Sequence, residues 1–324
     1  MKKGIVIGKF YPPHKGHKHL IDFAMRNSDS LVVVVCWRSD QKIPGALRAA
    51  WIREIHPGAE VIVVDDIMKD DDSRAWADYT RKFLGYTPDV VFTSEDYGDL
   101  YAEFLGCRHI PVDKKRERVP ISATDIRKDP MKHWEFLEPC VKAYFAKRIC
   151  VVGAESTGTT TLAQALAKHY RTVWVPEFGR TYWEGKSYRP NASQWNTDEF
   201  MFIASTQNRL EDFFARQCNK ILICDTDSFA TSLWHERYVG SMSDEVKKIS
   251  ANRDYDLYFL TGDEIPFVQD GTRDGEHIRH SMQKRFKEEL SKNNKAFFVL
   301  TGDHKTRMKT AIKECDRVLR NTFC

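Results

Sequence analysis

The chain has 324 residues, with 50 basic and 46 acidic side chains, a formal net charge of +4, and a composition 42% hydrophobic and 30% charged. At roughly 100–200 residues per domain, this length predicts two domains that each bury a core, and the composition excludes wholesale disorder. So small a charge excess gives no ground for a nucleic-acid partner, and the densest basic stretch, residues 114–118, reads as a solvated face.

Two strand–loop–helix openings organise the chain. The first is a strand over residues 4–8, a turn rich in Gly, Pro and His, and a helical pattern over 16–26. Unbroken β-branched runs at 31–36, 61–64 and 90–93 then alternate with helical stretches at 46–55 and 73–84. Buried parallel strands read as continuous apolar runs of this kind, so the fold class is α/β with covered parallel sheets. The second opening is a strand over 148–152, a polar turn and a helix through Tyr170, followed by strands at 172–175, 220–224, 257–260 and 296–300. The boundary is placed at 145–147, giving domains 1–146 and 147–324. Eight cysteines are scattered without a C-x-x-C pair, which argues against a zinc cluster or disulfide framework, and Cys36, Cys150 and Cys224 read as core residues. The amino terminus runs straight into a strand, with no signal peptide, and no apolar stretch is long enough for a bilayer, so a cytoplasmic protein with no membrane partner is expected.

The loop after the first strand reads Gly8-Lys9-Phe10-Tyr11-Pro12-Pro13-His14-Lys15-Gly16-His17. Gly8 and Gly16 permit close approach of a ligand to the backbone. His14 and His17 share a helix face near an N-terminus, where free N–H groups and the dipole attract phosphate. Either histidine alone would read as an ordinary surface residue. Further on, Ile121-Ser122-Ala123-Thr124-Asp125-Ile126-Arg127 places two hydroxyls at a helix start and a guanidinium one turn later. A hydroxyl cap is common for structural reasons alone, but the planar fork of Arg127 makes a second phosphate cradle.

The pattern Gly-Lys-Phe-x-Pro-x-His-x-Gly-His, with Ile-Ser-x-Thr-x-x-Arg about a hundred residues on, resembles the nucleotidyltransferase superfamily with the H-x-G-H signature. The whole chain is similar to the bifunctional nicotinamide-mononucleotide adenylyltransferase/ribosylnicotinamide kinase (NadR-like) family. The segments 37–40, 43–51 and 93–98 carry the likeness further. Regulatory members of that family carry an N-terminal helix-turn-helix, which this sequence does not show, so DNA-binding repression is not expected. The resemblance implies a Rossmann-like nucleotidyltransferase domain. In it, the phosphate of a mononucleotide attacks the α-phosphorus of ATP, catalysed by positioning and charge stabilisation. His14 and His17 would serve the ATP phosphates and the developing charge. Ser122, Thr124 and Arg127 would hold the leaving pyrophosphate. Gly8, Lys9, Phe10 and Gly16 would complete the ATP site, with Mg²⁺ on the nucleotide. Trp37 would stack on the nicotinamide, with Arg38 and Asp96 at the rest of the mononucleotide. A tryptophan after a strand is as often packing, and Asp96 as often an exposed loop carboxylate.

In the second half, Gly153-Ala154-Glu155-Ser156-Thr157-Gly158-Thr159-Thr160-Thr161 has the spacing and context of a phosphate-binding loop. Thr160 stands where a hydroxyl would ligate Mg²⁺, but Thr159 stands where the loop's lysine belongs. Glu177 and Arg180 follow the next strand, and Asp225 and Asp227 close another, the usual place for Mg²⁺ coordination or a catalytic base. Residues 267–273, with Arg273 and then Arg279, resemble the arginine-bearing lid of small-molecule P-loop kinases. The resemblance assigns this domain the phosphorylation of nicotinamide riboside, with Asp225 or Glu177 activating the 5′-hydroxyl and lid arginines covering for the missing lysine. Two alternatives stay open: a different phosphorylated acceptor or CTP at the first site, and a second domain that only senses nucleotide. Expected partners are therefore ATP, nicotinamide mononucleotide, nicotinamide riboside and NAD; a homo-oligomer is expected only by analogy.

Overall fold

The computed structural model describes residues 1–69, 72–251, 253–271, 273 and 275–320. The chain divides into two compact units, the first Met1–Val141 and the second beginning at Lys142. The first runs β1 (Lys3–Gly8), α1 (Lys15–Arg26), β2 (Ser30–Trp37), α2 (Gly45–Ile55), β3 (Glu60–Asp65), α3 (Ser73–Leu84), β4 (Val90–Thr93), α4 (Gly98–Leu105), β5 (Arg108–Pro111) and α5 (Ala123–Lys128); α6 (Pro139–Phe145) carries the chain onward. All strand pairs are parallel, in the order β3-β2-β1-β4-β5.

Alternation along each strand explains the unbroken apolar runs. On β2, Leu31, Val33 and Val35 enter one core with Leu20, Ile21 and Ala24 of α1 and Ala49 and Ile52 of α2. Val32, Val34 and Cys36 enter a second core, with Ala77 of α3 and Tyr101, Ala102 and Leu105 of α4. Both faces of the sheet are covered, so neither parity of the strand is left polar. The short edge strand β5 is absent from the sequence expectation because its four residues, Arg108-His109-Ile110-Pro111, show no apolar run.

The second unit runs β6 (Lys147–Val152), α7 (Thr159–Tyr170), β7 (Trp174–Val175), α8 (Phe178–Lys186), α9 (Thr197–Ala215), β8 (Ile221–Asp225), α10 (Ser228–Val239), α11 (Asp244–Ser250), β9 (Leu257–Thr261), α12 (Arg279–Lys292), β10 (Phe297–Leu300) and α13 (His304–Arg320). Its sheet is also parallel, ordered β10-β9-β6-β8-β7, with α7 and α13 packed on one face through Leu162, Leu166, Ala311 and Cys315. β7 is shorter than the run at 172–175 suggests, because the Thr172 N–H donates to Ala167 O at 3.0 Å and closes α7 instead. The cysteines among the described residues are free thiols, nearly all buried. Among the described residues, no helix is long and apolar enough to cross a membrane.

Candidate active sites

A cavity of about 770 Å³ lies at the carboxyl ends of the first sheet, and all five strands reach it: Gly8 ends β1, Cys36 lies near the end of β2, Asp66 follows β3, Thr93 ends β4 and Val112 follows β5. Open parallel sheets bind ligands at this edge because the loops diverge there. His14 is the N-cap of α1: the Gly16 N–H donates to its Nδ1 at 3.1 Å, which leaves the proton of the neutral ring on Nε2. A side chain at Gly16 would place Cβ 2.9 Å from that imidazole, so this position excludes one. The His14 and His17 rings lie 3.8 Å apart, and Phe10 meets His17 edge-on at 4.9 Å. Burial, then the Arg116 charge, holds His14 down to about 3. Burial, then His14 and Arg116, holds His17 well below the usual imidazole range. Near neutral pH the pair is therefore uncharged, and it offers hydrogen bonds rather than cations. His17 Nδ1 is buried without a partner, so a polar ligand atom could satisfy it.

Ser122 caps α5, its Oγ accepting from the Asp125 N–H at 3.1 Å and donating to Asp125 Oδ2 at 2.5 Å. Thr124 Oγ1 accepts from Arg127 Nη2 at 2.9 Å, while Arg127 Nη1 donates to the carbonyl of Tyr11, in the histidine loop. The guanidinium also lies 4.8 Å from the Tyr11 ring centroid. The two motifs, distant in sequence, thus meet on one cavity wall. Arg48, fully buried, donates to Lys9 O at 2.5 Å and to Gln41 Oε1 at 2.7 Å, fixing the loops after β1 and β2.

A second cavity, of about 400 Å³, surrounds the phosphate-loop sequence. Ser156 (φ 58°) and Gly158 (φ 83°) are left-handed, the geometry that builds concave nests of backbone amides. A Cβ on Gly153 would lie 2.4 Å from Thr261 Oγ1, which packs the loop tightly onto β9. Asp225 Oδ2 accepts from Thr160 Oγ1 at 2.6 Å, and the Thr159 hydroxyl also bonds this carboxylate. Burial raises Asp225 to about 6, against those hydroxyls; burial and then Asp225 raise Glu177 to about 7. A strap lies over the loop: the Val268 N–H donates to Ser156 Oγ at 2.8 Å, and Arg279 Nη2 donates to Ser156 O at 3.1 Å. Asp270 pairs with both Arg180 (3.2 Å) and Arg273 (3.1 Å). Trp183, Trp195, Phe200, Trp234 and Tyr238 form an aromatic wall, Trp183 and Trp195 stacked at 5.8 Å. Thr160 beside Asp225 suits a hard divalent cation carried in on nucleotide phosphates. Among the described residues, no cluster of three or more His, Cys, Asp or Glu could cage one.

Residues 5–129 match the cytidylyltransferase-like family model, and residues 148–307 match an AAA domain model. The trifunctional NAD biosynthesis/regulator protein NadR of Escherichia coli (strain K12) is 28% identical, the alignment covering 91% of this chain and 77% of that protein. NadR of Salmonella typhimurium (strain LT2) gives the same identity and the same coverage. Among solved structures, a NadR protein in complex with NR superposes with a TM-score of 0.80 at 21% identity, covering 99% of this chain and 97% of that one. A NadR complex with NAD and AMP-PNP gives 0.75 at 22%, with the same coverage. The chain is NadR-like. Its two parallel sheets are the cytidylyltransferase-like and P-loop folds in that order.

Within this NadR-like frame the cavities sort the expected residues. Gly8, Lys9, Phe10, His14, Gly16, His17, Arg38, Ser122, Thr124 and Arg127 line the first. Trp37 does not: its ring packs on Gly45, where a Cβ would fall 2.5 Å from it. Asp96 does not either; it is 93% exposed and pairs with Lys114 at 2.6 Å. Glu155, Ser156, Gly153, Gly158, Thr159, Thr160, Thr161, Glu177, Asp225 and Arg273 line the second cavity; Thr272, beside Arg273, lies outside the described residues. Thr157 is buried beneath the loop, donating to Ala154 O at 2.7 Å. Asp227 is corrected from candidate metal ligand to helix cap. Its oxygens are taken by the Ala230 N–H at 2.8 Å and the Tyr258 hydroxyl at 2.7 Å. Arg279 likewise holds the loop backbone and is not on the cavity wall. Sequence reasoning overlooked Asp66, Trp76 and Arg116 in the first cavity. It also missed the aromatic wall of the second, whose members are spread over three helices and a loop with no motif to mark them.

Proposed function

We propose that the first unit transfers the adenylyl group of ATP to nicotinamide mononucleotide, giving NAD⁺ and pyrophosphate. The observation that carries this reading is that His14, His17, Thr124 and Arg127 line one cavity, in a chain similar to a NAD biosynthesis protein along most of its length. An oxygen of the acceptor phosphate bonds to the α-phosphorus as the bond to the β-phosphate breaks, and pyrophosphate carries off the electron pair. His14, with its proton on Nε2, and His17 donate to phosphoryl oxygens whose charge grows in that step. Arg127 and Thr124 hold the leaving pyrophosphate, and Lys9 adds a point charge. Mg²⁺ bound with ATP supplies further neutralisation of the phosphates. Pyrophosphate release from ATP plus nicotinamide mononucleotide tests the reading. Release only with another acceptor or with CTP overturns the substrate, and binding without release overturns the activity.

For the second unit we propose phosphorylation of nicotinamide riboside, the activity that makes the first unit's acceptor. Glu177 and Asp225 line the cavity with the phosphate-loop residues, and their raised affinity for protons suits acceptance of the 5′-hydroxyl proton. The aromatic wall suits a pyridinium cation. Arg180 and Arg273 supply the charge that Thr159 lacks, exchanging Asp270 for phosphate oxygens. The missing lysine favours a second reading, nucleotide binding without turnover. Mononucleotide formation by the unaltered chain supports the kinase; formation only in Thr159→Lys supports the second reading.

A further inference from the structure

The first cavity has two halves. The histidine loop after β1, Ser94 and Glu95 after β4, and the Ser122–Arg127 cluster after β5 form one half, which the proposed reaction gives to the triphosphate. The other half is built by the loops after β2 and β3 and by the first turn of α3, through Arg38, Gln41, Asp66, Ser73 and Trp76. It falls to the acceptor, and nothing so far says what it selects.

Asp66 stands out there. Its N–H donates to Trp37 O at 2.8 Å, so β-type pairing runs one residue past β3 and fixes where the side chain leaves the backbone. The carboxylate is 1% exposed, and neither oxygen accepts a hydrogen bond. Lys9 Nζ lies 3.5 Å away, a countercharge without a hydrogen bond. Other buried carboxylates among the described residues have at least one oxygen held: Asp225 holds threonine hydroxyls, both Asp227 oxygens are occupied, and Glu211, with Oε1 unpartnered, accepts from the Tyr255 hydroxyl at its other oxygen. Unfilled acceptors on the wall of a cavity call for a ligand that brings donors. Trp76, on the same wall, adds an aromatic surface.

We propose that Asp66 is a specificity-determining residue. It accepts from the N–H groups of a neutral carboxamide on the acceptor's base, and it rejects an acceptor with a carboxylate there. The proposal rests on adenylyl transfer to a pyridine mononucleotide. A carboxamide brings two donors and no charge; a carboxylate brings no donor and faces a like charge in a confined site. Sites built to hydrogen-bond a substrate discriminate strongly against analogues that leave their groups unpaired.

The test is kcat/KM for pyrophosphate release by the full chain with nicotinamide mononucleotide and with nicotinate mononucleotide, alongside calorimetric binding of each without ATP. The unaltered chain is expected to favour the amide by about 10²-fold or more. Asp66→Asn, of equal shape and able to donate to a carboxylate, is expected to shrink that ratio at least ~10-fold, with the KM for ATP unchanged. Equal use of the two acceptors by the unaltered chain, or a ratio unmoved by Asp66→Asn, overturns the proposal. An equal loss with both acceptors assigns Asp66 to ribose hydroxyls and overturns it as well. Absence of release with either acceptor sinks the adenylyl-transfer reading instead. The calorimetric ratio then decides Asp66 alone: an amide preference that the variant erodes supports it, and no preference or no binding ends it.

Discussion

The two cavities carry opposite chemistry. The first presents two imidazoles that burial keeps neutral, with Arg127 and Arg116 as the charges nearby. The second presents two carboxyls that burial keeps partly protonated near neutral pH, with its arginines engaged by Asp270. Both sit at the carboxyl edge of a parallel sheet, beside the loop that leaves its central strand, β1 or β6. The difference follows from what each proposed reaction must move. In adenylyl transfer the nucleophile is already an anion and no proton has to leave it, so donors suffice. In phosphorylation of an alcohol a proton must go somewhere, and a carboxylate of raised pKa can take it.

The sharpest way to break this contrast is to remove one of the second site's two carboxylates. Asp225→Asn should lower nicotinamide riboside phosphorylation by roughly 10³-fold while adenylyl transfer stays unchanged, measured on the same preparation. A parallel loss of both activities would show that the two sites are not chemically separate. The converse variant, His17→Ala, should lower pyrophosphate release by about 10²-fold with little change in thermal stability, as expected for donors used mainly in the transition state. Near-normal release in that variant would remove the imidazoles from the mechanism. Unfolding would make them core residues.

What was legible in the sequence was what repeats locally. The parallel strands at 31–36, 90–93 and 220–224 announced themselves as apolar runs because both sheet faces are covered, and the loops that open α1 and α7 carry recognisable motif spacing. What was not legible depends on tertiary packing. Trp37 and Trp76 look alike as letters, yet one is sealed against Gly45 and the other lines the cavity. Asp225 and Asp227 are two residues apart at one strand end, but the second turns to cap α10. Arg116 lay in a charge run that reads as solvated surface, and only the fold shows its field reaching both histidines.

Acidity separates the sites through their pH–rate profiles. Glu177, raised to about 7, must lose its proton before it can accept one. The kcat/KM for the riboside should therefore climb about tenfold per pH unit between about 6 and 7 and level off above, and Glu177→Gln should leave only the inflection of Asp225 near 6. The histidines run the other way: with His14 held near 3, adenylyl transfer should show no imidazole inflection near 6.5. The linkage signs differ too. Below its ordinary pKa the unfolded chain takes up protons that folded His14 refuses, so this residue's contribution to stability is lost as pH falls from about 6.5 towards 3. Folded Glu177 keeps a proton that the unfolded chain releases, so its contribution is lost as pH rises from about 4.5 to 7.

The smallest effect tests the tryptophans. If Trp37 is packing, Trp37→Phe keeps an aromatic ring on Gly45 and should change the KM for the mononucleotide by less than about threefold, with at most a modest loss of stability. Trp76→Ala removes cavity wall from the acceptor's half and should raise that KM by about tenfold while leaving the KM for ATP alone. The comparison is informative because Trp37 ends β2 and Trp76 lies in α3, the helix that follows the neighbouring strand β3, so both variants alter the same region. A general disturbance of the region would move the two KM values together in both variants. Selective loss in Trp76→Ala alone would assign the acceptor's base to the β3 side. Loss in Trp37→Phe of comparable size would return that role to the residue first suggested by the sequence, and the Gly45 contact would then be incidental to it.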